Sequence, residues 1–386
     1  MLDLTKRPLY ITGVAETPLG KVSNLSQMGM FAVAAREALQ EAGLTLAAVG
    51  GLWAPWQGTM SSTAVAEYLG ITPHYLDSSD HGGSQFLANV CHAMAVIDAG
   101  IIDVALIGFA SRQRSLKSRP RDSSAFFGES LTTEFEGSLG LPMPIGHFAL
   151  AMDRHIHDYG TKREAFAEVA VAARQWAQLN PKAWHYGTPI TREEVLASRP
   201  LCEPLTKEEM CLVTDGGGVM VVTNAARSRD AAKKPVRILG AAEAMTHYHI
   251  WMSPDITRWA GEKSAKEALE MAGLTPDDVD VFEPYDASTP AVIIQLGDVG
   301  FVDRADVGDF VLEGNLAPGG RLPSMTSGGG LAYNHPGAFG MQIMVESVRQ
   351  ARGEAGLRQV ARARIVMAHG IGGVYSNGAS VVMSCD

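Results

Sequence analysis

Apolar and polar positions along the chain fall into helical and strand-like periods, and these periods recur. Ala35 to Thr45 reads AREALQEAGLT and Ala265 to Thr275 reads AKEALEMAGLT. Each is the end of an amphipathic helix closed by a glycine, Gly43 or Gly273, at the usual C′ position. A short apolar stretch that predicts a strand follows each one, VGGLWAP in the first case and VDVFEPY in the second. Next in the first half comes a turn, His81-Gly82-Gly83-Ser84, then a helix, FLANVCHAMAVIDAG, and a strand, VALIGFA. The second half repeats the order: Gly328-Gly329-Gly330, the helix GMQIMVESVRQARG, and the strand ARIVMAHG. A match that keeps the order of successive elements implies duplication. The expected organisation is therefore an α/β protein of two similar halves, residues 1–230 and 231–386. The alternation of helix and strand predicts parallel sheets covered by helices. Residues about 112–212 break the pattern. RQRSLKSRPRDSS is polar and basic, TTEFEGSLGLPMPIG is rich in Gly and Pro, and TKREAFAEVAVAARQWAQ predicts a long helix. This reads as an insertion that caps the site, since long insertions in α/β enzymes often carry binding loops.

Composition narrows the class. A chain of 386 residues is too long for one ordinary core and suits two halves. Hydrophobic residues at 46% and charged residues at 19% are ordinary for a soluble, well-packed protein. No apolar run approaches the ~20 residues that a membrane span needs. The opening stretch shows no basic segment followed by an apolar core, so no secretion signal is expected. Cys91, Cys202, Cys211 and Cys385 are scattered without C-x-x-C spacing, which argues against a zinc or disulfide framework and for a reducing cytoplasm. The net charge of −10 argues against general nucleic-acid binding. It leaves room for an anionic small ligand such as coenzyme A, which needs only local positive groups.

Several motifs run almost from end to end. They include Ala151 to Gly160 with its YG ending, Asn180-Pro181-Lys182-Ala183, and Thr214-Asp215-Gly216-Gly217-Gly218. Later come Tyr285-Asp286-Ala287-Ser288-Thr289-Pro290, Gly319-Gly320-Arg321-Leu322-Pro323 and Val348-Arg349-Gln350-Ala351-Arg352-Gly353. Together, in this order and with the internal repeat, they resemble the thiolase superfamily. Within it the chain is most similar to the sterol-carrier-protein-type thiolases and their aldolase branch acting on steroid side chains. The resemblance implies a thiolase fold, with two duplicated α/β halves forming a layered αβαβα core.

The departures from that family are as informative. A thiolase carries a nucleophilic cysteine at the turn entering the first-half helix, where the helix N-terminus and a histidine lower its pKa. This chain has His81-Gly82-Gly83-Ser84 there, and Cys91 further along reads as a small buried hydrophobe. A second thiolase cysteine acts as acid and base in a C-x-G motif. Here the run is Ala368-His369-Gly370-Ile371-Gly372-Gly373, and Gly370 takes the cysteine's place. The histidine motif that holds the thioester oxygen survives as Asn334-His335-Pro336. It lies on the Gly-rich loop SGGGLAYNHPGAFG, whose backbone N–H groups are candidates to serve an oxyanion. Loss of both thiols removes acyl transfer and leaves enolate chemistry. Aldol cleavage of a β-hydroxyacyl-CoA needs only the latter, because its ketone product cannot acylate a nucleophile.

Candidate residues follow. The resemblance assigns proton transfer to Tyr333 in an A-Y-x-H setting, with His335 as its helper, and offers Tyr248, in Thr246-His247-Tyr248-His249, as a second tyrosine. Tyr285 stands where relatives have asparagine or histidine, with Asp286 positioned to orient a loop or water. Free tyrosine is a poor base at a pKa of ~10 and needs a neighbour. His81 is a further candidate. Gly328, Gly329, Asn334 and Gly370 form the expected substrate and oxyanion loops. His247 and His249 lack a third ligand, so no metal is expected. The implied activity is a carbon–carbon lyase on a bulky acyl-CoA, with coenzyme A as part of the substrate and no other cofactor. A homodimer, joined by a small partner built from an OB-fold and a zinc ribbon into a heterotetramer, is implied as well. The basic run Arg112, Arg114, Lys117, Arg119 and Arg121 is a candidate to meet that partner or CoA phosphates. The competing readings are a noncatalytic acyl-CoA-binding or scaffold subunit, and an acyltransferase using Ser84 or another nucleophile.

Overall fold

The structure, a computed structural model, describes residues 4–58, 60–117, 132–141, 143–373 and 375–385. Its strands are β1 (Leu9–Glu16), β2 (Gly51–Trp53), β3 (Tyr75–Asp77), β4 (Val104–Ser111), β5 (Pro200–Cys202), β6 (Leu205–Thr206), β7 (Gly216–Asn224), β8 (Val236–Met245), β9 (Val281–Pro284), β10 (Ile365–Gly372) and β11 (Asn377–Ser384). Its α-helices are α1 (Gln27–Glu41), α2 (Ser61–Leu69), α3 (Gln85–Asp98), α4 (Gln113–Leu116), α5 (Ile145–Tyr159), α6 (Arg163–Gln178), α7 (Arg192–Leu196), α8 (Gly261–Ala272), α9 (Thr289–Val299), α10 (Val307–Leu312) and α11 (Gly340–Arg352).

The repeat read from the sequence is a repeat in space. The first half orders its strands β3-β2-β4-β7-β1, and the second continues β8-β11-β10-β9, with an isolated bridge from Phe282 to Ser324 at the position matching β3. Gly13 on β1 lies so close to α1 that a Cβ there would be 1.9 Å from the Ala38 carbonyl oxygen. Gly240 on β8 lies against α8 in the same way, with 2.0 Å to the Ala268 carbonyl oxygen. Only glycine admits such an approach of helix backbone to strand. Both helices then end as expected, with Gly43 at φ +64 and Gly273 at φ +68.

The layers follow from which faces are apolar. α1 covers β1, β4 and β7, and α8 covers β8 and β11. α3 and α11 are buried nearly all round and touch strands of both halves, so they form a central layer. The result is the expected αβαβα stack. The expectation of parallel sheets needs correcting. Among the described strands, β2–β3, β2–β4 and β9–β10 pair in parallel, whereas β1–β7, β4–β7, β8–β11 and β10–β11 are antiparallel. β10 and β11 are joined by a short turn, which forces the last strand to run back. β1 also pairs with β8 (Leu9 with Ile238), so the halves share one hydrogen-bonded sheet. The 230/231 boundary falls between β7 and β8.

Described residues of the stretch 112–212 are hydrogen-bonded to the Gly-rich loop. Trp184 N–H donates to the Tyr333 carbonyl at 3.0 Å, His185 N–H to Ala332 at 3.1 Å, and Leu212 N–H to Gly330 at 2.9 Å. In the basic run, Arg112 Nε donates to the Val22 carbonyl and Arg114 to that of Val213, with the Arg114 guanidinium 4.3 Å above the Trp184 ring. Those two arginines brace the fold; Arg119 and Arg121 lie outside the described residues. No described helix is long and apolar enough to cross a membrane.

Candidate active site

The site is built where the turn before α3 meets the end of β10. Gly82 takes φ +65, and the turn packs so tightly on β10 that a Cβ on Gly82 would lie 2.3 Å from Gly373 N. A Cβ on Gly83 would be 2.5 Å from the Ile371 carbonyl oxygen and 2.6 Å from Tyr285 Cε2. A Cβ on Gly370 would be 3.2 Å from Ser84 Cα. The two positions at which the resemblance places thiols therefore adjoin one another, as the motif comparison requires. The ring of Tyr285 fills the room a side chain on Gly83 would need.

Tyr285 follows β9 and is buried. Its backbone N–H donates to the His369 carbonyl at 2.9 Å, which hangs it on β10. Its hydroxyl stands 3.2 Å from His335 Nε2 and accepts from Phe339 N–H at 3.0 Å. His335 is held in turn: its N–H donates to Thr214 Oγ1 at 2.8 Å, its carbonyl accepts from Thr214 N–H at 3.1 Å, and its ring stacks on Phe339. His335, which the sequence analysis set beside Tyr333, meets Tyr285.

Tyr333 is placed differently from expectation. It is buried, and its hydroxyl donates to Glu16 Oε1 on β1 rather than pairing with His335. Glu16 also takes Arg349 at 2.8 Å and Lys182 at 3.5 Å. Burial opposes the charge on Glu16, but Arg349, Lys182 and the Tyr333 hydroxyl outweigh it and keep the carboxyl below its usual range. Burial first, and then the Glu16 charge, push the Tyr333 hydroxyl well up, so it keeps its proton where it stands. Glu16, Lys182 and Arg349 line a cavity of about 640 Å³ bounded by β1 and α1. Nothing in the sequence pattern linked Glu16 to Tyr333.

The Gly-rich loop is a π-type turn over Gly329–Tyr333 organised by Asp286. Asp286 Oδ1 accepts from Gly330 N–H at 2.7 Å and Oδ2 from Leu331 N–H at 3.0 Å. Gly329, at φ +65, would drive a Cβ to 2.0 Å from that carboxyl, so glycine is required. Burial raises Asp286 to about 7, against the two N–H donors that favour its ion. Asp286 thus orients the loop, as expected. The N–H groups of Gly328 and Gly329 are already engaged: Gly328 N–H donates to the Met325 carbonyl and Gly329 N–H to Ser327 Oγ. Asn334 differs. Its amide is buried beside Gly216, with neither Oδ1 nor Nδ2 partnered, the mark of a polar group that meets a ligand or water.

His81 and Tyr248 are not gathered into this cluster. The His81 ring faces Glu243 Oε2 at 3.5 Å and lies edge-on to His92. Tyr248 is 53% exposed, its ring edge against His249, which itself stacks on Trp251. Ser84 Oγ donates to the His81 carbonyl at 2.9 Å and so caps its own turn. Cys91 is half-buried on α3, and burial pushes its thiol far up, away from the reactive thiolate. Cys385 is buried just beyond β11.

Fold and site together define a thiolase-type scaffold in which a tyrosine–histidine pair stands at the place of the thiols. A family model described as "Thiolase C-terminal domain-like" matches residues 242–385. The chain is 34% identical to the 17-hydroxy-3-oxo-4-pregnene-20-carboxyl-CoA lyase of Mycobacterium tuberculosis, over 89% of this chain and 91% of that one. It is 33% identical to the steroid side-chain-cleaving aldolase of Thermomonospora curvata, over 89% and 90%. A solved structure titled "Ltp2-ChsH2(DUF35) aldolase" superposes with a TM-score of 0.88 at 31% identity, covering 98% of this chain and 97% of that one. Human mitochondrial 3-ketoacyl-CoA thiolase shares the fold, with a TM-score of 0.70 at 16% identity and 98% of each chain covered. The chain belongs to the thiolase-like family, in the sterol-carrier-protein-type branch that holds these aldolases.

Proposed function

We propose that the chain is a carbon–carbon lyase that cleaves a β-hydroxyacyl-CoA of the steroid side-chain type into a ketone and a shorter acyl-CoA. The relatives named as lyase and aldolase, each matched over most of its length, support the reaction class. The observation that carries the chemistry is the buried Tyr285–His335 pair at the former thiol turn.

The substrate hydroxyl gives its proton to the Tyr285 oxygen as Tyr285 passes its own to His335 Nε2. The Cα–Cβ electrons move into a thioester enolate, the β-carbon leaves as ketone, and the proton returns through Tyr285 to Cα. General acid–base catalysis of this kind is worth typically ~10²–10⁴ in rate. The Asn334 amide is the group we assign to the enolate oxygen, in place of the loop N–H donors. Coenzyme A enters as part of the substrate, and the steps as written consume no other cofactor. We further propose that the chain works as a homodimer with a small second protein of the OB-fold and zinc-ribbon kind, which the likeness to a structure titled with two components supports. The test is to incubate the purified chain, with and without that partner, with candidate β-hydroxyacyl-CoA thioesters and to measure ketone release by mass spectrometry. Binding without any ketone would favour a noncatalytic subunit.

A further inference from the structure

Beside the turn that backs Tyr285 lies a cluster that the proposed reaction does not use. His81 precedes the turn, His92 lies on α3 two helical turns after it begins, and Glu243 lies on β8 of the other half. One ligand atom from each of the three lies within 4.8 Å of the others. His81 Nδ1 is 3.5 Å from Glu243 Oε2, and His92 Nε2 is 2.9 Å from Glu243 Oε1. Donor atoms around a tetrahedral zinc ion, with bonds of roughly 2.0–2.2 Å, stand roughly 3.3–3.6 Å apart, so small side-chain movements suffice to close a site. A second observation comes from behind the histidine. Asp77 Oδ2 lies 3.3 Å from His92 Nδ1. A carboxylate there holds the proton on Nδ1, so that an ion displacing the Nε2 proton now shared with Glu243 meets the Nε2 lone pair, the arrangement that orients metal-binding histidines. The side chains of His81 and His92 are 34% and 23% exposed, so an ion has a path in from solvent.

We propose that His81, His92 and Glu243 form a site for a divalent transition-metal ion, zinc above all, with Asp77 as the carboxylate behind His92. Two imidazoles and one carboxylate suit zinc or another late first-row ion rather than calcium or magnesium, which prefer all-oxygen sets. The site differs from the His247–His249 pair and is independent of the lyase reading. Its place explains what an ion would do. It would tie the turn and α3 of the first half to β8 of the second, and so fix the backbone at Gly83 against which the Tyr285 ring rests. The fourth position stays with water, outside the reaction.

The test uses the full chain, stripped with chelator and dialysed. Zinc is expected to bind at one equivalent and raise the melting temperature, and cobalt(II) is expected to give the visible bands of a four- or five-coordinate ion. His92→Gln and Glu243→Gln should abolish uptake, and Asp77→Asn should weaken it about 10–100-fold. His157→Gln, on an exposed histidine paired with Asp158, should leave it unchanged. Absence of cobalt bands and of zinc uptake in the unaltered chain overturns the proposal, whatever the variants do. Full uptake by a folded His92→Gln chain overturns it as well.

Discussion

The ring of Tyr285 lies against Gly83, 2.6 Å from the point a Cβ would occupy. The residue proposed to move the proton thus takes up the room in which a side chain at position 83 would stand. A cysteine restored at position 83 should therefore not restore thiolysis. Gly83→Cys is expected to lower stability by about 1–3 kcal/mol, as overpacking does, and to give no acyl-enzyme by intact mass. A stable acyl adduct on that cysteine would show that the ring yields.

Cysteine alkylation should leave lyase activity largely intact. Cys91 is half-buried with its thiol pKa pushed up by burial, and the proposed proton path from Tyr285 to His335 uses no thiol. Activity that disappears in step with thiol modification would return a thiol to the mechanism.

Tyr333→Phe separates two roles. Its hydroxyl serves Glu16, which keeps Arg349 and Lys182 when that hydroxyl is gone. The expected result is a stability loss of about 1 kcal/mol and a turnover within tenfold of the parent. A loss of 10² or more at unchanged melting temperature would bring Tyr333 into proton transfer.

Asp286 gives a pH signature. Burial raises it from 3.8 to about 7, so the folded protein holds its proton more tightly than the unfolded chain does. Its contribution to stability is therefore present at low pH and declines as pH rises from the ordinary carboxylate range to about 7. Asp298, also raised to about 7 by burial, moves in the same direction. Asp286→Asn should flatten this slope in thermal melts. It should also cost about 1–3 kcal/mol, because one amide oxygen cannot serve both Gly330 and Leu331 N–H as the carboxylate does. An unchanged slope would remove Asp286 from the account.

The elements were legible because their signals are local. Helix ends at Gly43 and Gly273, the repeated order of elements and the motif His335-Pro336 all lie within a few residues of chain. Strand direction was less so, since a helix–strand alternation does not reveal that β11 folds back on β10. The site was half legible. The sequence marked Tyr285, Tyr333, Asn334 and His335, but not their partners. Tyr285 reaches His335 across 50 residues and Tyr333 reaches Glu16 across 317. Periodicity carries no information over such spans, so Tyr333 was matched to its sequence neighbour. His81 was credited to the site for its turn, whereas its ring belongs to Glu243 and His92.

The most direct test of the central claim is turnover by Tyr285→Phe. The substitution keeps the ring against Gly83 and removes only the hydroxyl at His335. Ketone release from a steroid-type β-hydroxyacyl-CoA should fall about 10²–10⁴-fold with melting temperature and acyl-CoA binding little changed. A folded Tyr285→Phe protein that releases ketone at the parental rate would contradict the Tyr285–His335 mechanism.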